Sequence, residues 1–126
     1  MSTDRLRSRR ILVAEDDPLL ALGYDEILRD AGATVLGPAA SVEQAQKLVA
    51  ENGISAALLD VRLADGEVWP LARLLAGKGV PFAFCTGHFS HDTLPDEWAN
   101  RPIITKPARA DKIVGVIAEL LSESSS

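Results

Sequence analysis

A chain of 126 residues is long enough for one domain with a real core and too short for two. Hydrophobic residues at 47% and charged residues at 25% are ordinary globular usage, which excludes a disordered or fibrous chain, and a net charge of −5 gives no general attraction to nucleic acid. Four arginines crowd residues 1–10, but Glu15 cuts the following apolar stretch too early for a signal-peptide core or a membrane span, so the expected location is the cytoplasm.

Short apolar runs then alternate with helical patterns, the signature of βαβ units and a parallel sheet. After an N-terminal leader over 1–10, a first strand is predicted at Ile11–Ala14. Pro18 leads into a helix over Leu19–Ala31, with Leu20, Tyr24, Ile27, Leu28 and Ala31 at helical spacing and Gly32 as the stop. A short strand follows at Thr34–Leu36. Ser41 and Gln44 can then cap each other's backbone donors at the start of a helix that runs to about Glu51. The third strand spans Ile54–Leu59 and ends at Asp60. Beyond a loop through Gly66 comes a helix near Trp69–Ala76, closed by Gly77, and then a fourth strand at Pro81–Cys85. Between Gly87 and Arg101 helical periodicity is poor and Pro95 intervenes, so the fourth helix is expected to be short, shifted or partly disordered. A last strand at Ile103–Thr105 and a helix over about Arg109–Leu121 complete a domain of 11–121. Residues 122–126 read as a disordered polar tail. No output domain is expected, so a downstream effect would pass through a protein partner, with the chain itself a monomer or weak dimer.

Three strands end on groups that must meet water. Ile11–Ala14 stops at Glu15-Asp16-Asp17, Ile54–Leu59 at Asp60 and Ile103–Thr105 at Lys106. In an open parallel sheet those ends share one rim and ligands bind in the crevice there, so a divalent-metal and phosphoryl site is the first functional expectation. Asp17 is better read as a helix-start acid favoured by the dipole. The single Cys85 sits in an apolar run and reads as a small buried hydrophobe. His88 and His91 lack the second pair of ligands that a zinc site needs.

These residues resemble the receiver domain of two-component response regulators from Ile11 to Leu121. The resemblance is carried by Ile11-Leu12-Val13-Ala14-Glu15-Asp16-Asp17-Pro18, by Leu58-Leu59-Asp60-Val61-Arg62-Leu63, by Thr86-Gly87 after a strand and by Thr105-Lys106-Pro107 after the last one. It implies a doubly wound, flavodoxin-like α/β fold with a five-stranded parallel sheet of order 2-1-3-4-5 and about five helices. It also implies transfer of a phosphoryl group from a histidine kinase or histidine phosphotransferase to Asp60, with Mg2+ as cofactor. Asp16 and Asp60 would be direct ligands, Glu15 a ligand directly or through water, and the backbone carbonyl of Arg62 would complete the protein set. Lys106 and Thr86 would contact the phosphoryl oxygens, with backbone N–H groups near Val61 and Gly87 as further donors. On this reading the chain is a phosphoacceptor, not an enzyme acting on a separate substrate.

A finer resemblance lies in Phe84-Cys85-Thr86-Gly87-His88, which is similar to the Phe-Ala-Thr-Gly-Tyr motif of the FAT GUY receivers. Cys85 replaces the Ala and His88 the Tyr. That subgroup lacks the aromatic switch residue on the last strand, where this chain has Ile103, and it is often served by kinases of the HWE type. His88 and Ile103 therefore mark the expected signalling surface, the face made by the fourth helix, the last strand and the last helix. Two other readings compete: an interaction module that works without phosphorylation, against which the intact acids and lysine argue, and a metal-dependent aspartyl phosphohydrolase, for which Asp60-Val61-Arg62 lacks a second acid.

Overall fold

The computed structural model describes residues 4–87 and 94–124. Strand β1 (Arg10–Ala14) leads to α1 (Pro18–Asp30), then to β2 (Thr34–Ala39), α2 (Val42–Glu51) and β3 (Ala56–Leu59). A small antiparallel hairpin follows, β4 (Arg62–Leu63) with β5 (Gly66–Glu67), and precedes α3 (Trp69–Gly77). Then come β6 (Phe82–Thr86), a 3-10 turn at Asp96–Trp98, β7 (Ile103–Thr105) and α4 (Ala110–Ser124). The main sheet has the order β2-β1-β3-β6-β7 with every pair parallel. Counted within that sheet alone, this is the expected 2-1-3-4-5.

The central strands are apolar throughout because helices cover both of their faces. Alternation along each strand sends Ile11, Val13, Leu58, Ala83 and Cys85 to the layer beneath α1 and α4. Leu12, Ala14, Leu59, Phe82 and Phe84 go to the layer beneath α2 and α3. Cys85 is buried there as expected, its sulfur 3.2 Å from the Tyr24 hydroxyl, and burial pushes both groups' pKa values up, so both stay neutral.

Several boundaries differ from the expectation. The fold begins before Ile11: Arg10 is already in β1, and Leu6 is fully buried. Strand β2 continues past Leu36 to Ala39, through Gly37-Pro38, which an edge strand tolerates. Gly37 adopts φ 97° at the point where the β1–β2 register slips, and a Cβ there would lie 2.9 Å from the Val13 carbonyl oxygen. Helix α4 runs on to Ser124, where a disordered tail was expected from 122. Among the described residues there are four α-helices and one 3-10 turn rather than about five helices. The turn is the described part of the expected fourth helix, and residues 88–93 lie outside the described residues. Among the described residues, no helix is long and apolar enough to cross a membrane.

Candidate functional site

The carboxyl ends of the parallel strands share one rim, and the crossover from β1 to its neighbours on either side opens a crevice there. Glu15 and Asp16 follow β1, and Asp60 follows β3. One carboxylate oxygen from each of the three lies within 4.8 Å of the others. Lys106, directly after β7, reaches across to them: its Nζ is 2.7 Å from Glu15 Oε1 and 2.8 Å from Asp60 Oδ2.

Local backbone bonds fix these side chains. The Glu15 N–H donates to the Ala39 carbonyl at 2.9 Å, and the Asp60 N–H to the Ala14 carbonyl at 2.9 Å, so the acid-bearing turns continue the sheet's own ladder. The Lys106 N–H donates to the Thr86 carbonyl at 3.0 Å and does the same for β7. Asp17 stands apart as the N-cap of α1: its Oδ1 accepts from Leu19 N–H at 2.9 Å and Leu20 N–H at 3.3 Å, with Pro18 in the first turn. It serves the helix, as its sequence position suggested.

Glu15 is the buried member of the acid cluster, at 3% exposure, whereas Asp16 is exposed and Asp60 half-buried. Burial raises the Glu15 pKa above its ordinary 4.5; the Lys106 contact and the Asp17 N–H pull it back, and the charge of Asp60 pushes it up again. Burial works against the Lys106 ammonium, yet Asp60 and Glu15 outweigh it and hold the lysine above its ordinary 10.5. Lys106 is thus the charge that faces the buried Glu15 Oε1, at 2.7 Å. Three carboxylates in one crevice, with the one ammonium of Lys106 among them, suit a hard cation with oxygen ligands. Oxygens within 4.8 Å of one another would have to draw together by a side-chain adjustment to share one Mg2+, whose opposite ligand oxygens are roughly 4.2 Å apart. The donor set therefore fits Mg2+, with Glu15, Asp16 and Asp60 as the side chains that would hold it.

Of the remaining expected site residues, Arg62 meets the acids, through its backbone N–H. Thr86 is buried at the end of β6, level with Thr105. The Val61 carbonyl accepts from Val68 N–H at 2.9 Å, and Gly87 is exposed beside the Lys106 stem. The Arg62 N–H points at Asp60 Oδ1 from a long 3.4 Å. Among the described residues, no hydrogen bond links Thr86, Val61 or Gly87 to the acidic cluster. Ile103 is half-buried in β7 beside Phe84 and packs on the α2–α3 side of the core, and His88 lies outside the described residues.

One participant was not anticipated from the sequence. Asp65, at the tip of the β4–β5 hairpin, accepts from Val42 N–H at 2.7 Å and from Glu43 N–H at 3.2 Å, and these two bonds hold its carboxyl below the usual range. The Asp65-Gly66 dipeptide is a hairpin-turn signal, but the flanking strands of two residues are too short to show a pattern.

No family model matches the chain. The solution structure of SdrG from Sphingomonas melonis Fr1 matches with a TM-score of 0.79 at 36% identity, over 90% of this chain and 97% of that one. The chain belongs to the response-regulator receiver domains. The receiver domain of the PhyR response regulator from Erythrobacter litoralis matches this receiver with a TM-score of 0.83 at 28% identity, over 95% of each chain. The phyllosphere-induced regulator PhyR of Methylorubrum extorquens is 28% identical over 114 residues, or 88% of this receiver, which spans 43% of the length of that relative.

If Glu15 is a metal ligand, protons compete with Mg2+ for it. Because its pKa is raised, Mg2+ affinity should start to fall on acidification at a pH above the ordinary 4.5 of a glutamate. Titration calorimetry across pH reads this directly. Glu15→Gln should weaken binding and remove that limb of the profile; an unchanged profile in the variant would exclude Glu15 as the titrating ligand.

Proposed function

We propose that this receiver accepts a phosphoryl group on Asp60 from a histidine kinase or histidine phosphotransferase, and that Mg2+ assists. The convergence of Glu15, Asp16, Asp60 and Lys106 on one rim supports this reading most directly. In the transfer an Asp60 carboxylate oxygen attacks phosphorus, the N–P bond of the donor's phosphohistidine breaks, and the imidazole leaves with the bonding electron pair. Asp60 then carries a mixed anhydride, which water later cleaves to carboxylate and inorganic phosphate. Bound Mg2+ would neutralise charge on the transferring oxygens. Lys106 would supply a second cation to those oxygens, and the Thr86 hydroxyl and the N–H groups near Val61 and Gly87 would be further donors.

The partner is proposed to be a protein, with output leaving through the 94–101 segment, β7 and α4. An HWE-type kinase as donor rests on the partial motif at Phe84–Gly87 and on Ile103 in place of an aromatic. The test is direct. With Mg2+ and acetyl phosphate, intact-mass spectrometry should show a single labile phosphoryl group, removed by hydroxylamine and mapped by peptide analysis to Asp60. Labelling that survives EDTA, or that maps elsewhere, would overturn the assignment.

A further inference from the structure

The rim is held together by more than the sheet. Glu15 N–H bonds the Ala39 carbonyl, and the next residue, Ala40, accepts from Ala64 N–H at 3.0 Å, so the turn after β1, the turn after β2 and the β4–β5 hairpin form one backbone-linked unit. At its outer end stands the N-terminus of α2, whose first-turn donors need partners. Ser41 Oγ accepts from Gln44 N–H at 3.0 Å, and Gln44 Oε1 accepts from Ala40 N–H at 3.0 Å. The two donors left over, Val42 N–H and Glu43 N–H, are taken by the two carboxylate oxygens of Asp65. A carboxylate is the one side chain of this length that presents an acceptor to each of two adjacent N–H groups, and it meets the positive end of the helix dipole.

We propose that Asp65 is a positioning residue for the phosphoacceptor site: by clamping the hairpin to the N-terminus of α2 it fixes the backbone that begins at Asp60 and carries Arg62. The link is short. Asp60 is joined to Arg62 through the 3.4 Å contact, Arg62 pairs with Glu67 across the hairpin, and the Val68 N–H to Val61 carbonyl bond closes the hairpin base. Leu63 is buried beneath the hairpin, and among the described residues the hairpin tip is tied to the turn after β2 and to α2 by the Ala64–Ala40 bond and by Asp65. Without the carboxylate, Arg62 and the Asp60 side chain lose a fixed relation to Glu15 and Asp16.

The inference rests on the metal and phosphoryl reading above, and the experiment separates the two. Mg2+ affinity by titration calorimetry and amide exchange across residues 60–67 of the metal-free protein are compared in four forms: parent, Asp65→Ala, Asp65→Asn and Ser41→Ala. Asp65→Ala should weaken Mg2+ binding by about tenfold, as loss of an outer support for metal ligands typically does, and should speed exchange across 60–67. Asp65→Asn keeps one acceptor oxygen but sets an NH2 donor against the other backbone N–H and removes the charge, so it should return only part of both properties. Ser41→Ala removes a cap from the same helix end without touching the hairpin; it should lower the unfolding midpoint and leave Mg2+ affinity within about twofold of the parent. An Asn form equal to the parent would mean that the two-oxygen clamp is not needed, and equal weakening by Ser41→Ala would mean general loss of structure; either result overturns the proposal. Should the parent bind no Mg2+, the metal reading fails by itself, and unchanged exchange across 60–67 in Asp65→Ala would still reject the clamp.

Discussion

Leu6→Ala is expected to destabilise this receiver by about 2–5 kcal/mol, the cost of deleting a fully buried leucine whose cavity cannot collapse. Leu6 lies in the core layer of Leu28, Ala31, Ile113 and Ile117, between two helices far apart in sequence. Its backbone is pinned as well: Leu6 N–H donates to the Ala31 carbonyl at 2.8 Å, Arg9 N–H returns to the Leu6 carbonyl at 3.0 Å, and Thr34 N–H takes the Arg9 carbonyl at 2.8 Å. Gly32 lets this segment come close, since a Cβ there would lie 3.1 Å from Arg7 Cα at φ 96°. The neighbouring arginine is the control. Arg7 makes one exposed ion pair with Asp4 at 3.9 Å, so Arg7→Ala should change stability by less than about 0.5 kcal/mol. Urea unfolding at unchanged slope distinguishes the two. A Leu6→Ala variant as stable as the parent would show that 4–9 is only a leader after all.

Why that segment escaped the sequence reading is physical. One leucine among Arg5, Arg7, Arg9 and Arg10 has no period, and its burial is decided by the turn at Gly32, which no local pattern displays. By contrast, β1, β3 and β6 are buried on both faces, so each had to read as an apolar run, and the first polar residue after each had to lie on the rim. That is why Glu15, Asp16 and Asp60, with Lys106 after β7, were legible as one rim, whereas Thr86 was named only through the receiver resemblance. The roles within it were less so. Sequence order cannot say that the longer arm of Glu15 folds inward to become the buried acid while Asp16 stays exposed, nor that Lys106 bridges Glu15 and Asp60 rather than standing free at the rim. Asp65 was invisible for a different reason: its partner is a helix end 22 and 23 residues away in the chain, reached only once the sheet is assembled.

Removing the lysine should move metal binding and phosphoryl transfer in opposite directions. Lys106 Nζ lies within 2.8 Å of two of the three carboxylates that would hold Mg2+, so the metal must compete with a cation already among its ligands. At a pH well above the Glu15 limb, Lys106→Ala should therefore bind Mg2+ more tightly than the parent. Phosphoryl transfer from acetyl phosphate should nonetheless slow by about 10²–10³-fold, the usual cost of deleting one preorganised charge from the transferring oxygens. Asp60→Asn sets the floor. It removes the nucleophilic oxygen, so labelling should vanish, and adding Lys106→Ala to it should change nothing further in labelling while still strengthening what Mg2+ binding remains. The lysine also pulls the Glu15 pKa down, so its loss should shift the Glu15-dependent fall in Mg2+ affinity to higher pH. A general loss of folding would weaken both metal binding and transfer, and loss of a metal ligand would do the same; only a cation that competes in the resting site and assists in transfer gives the split. Weaker Mg2+ binding in Lys106→Ala, together with transfer at the parent rate, would remove the lysine from both roles.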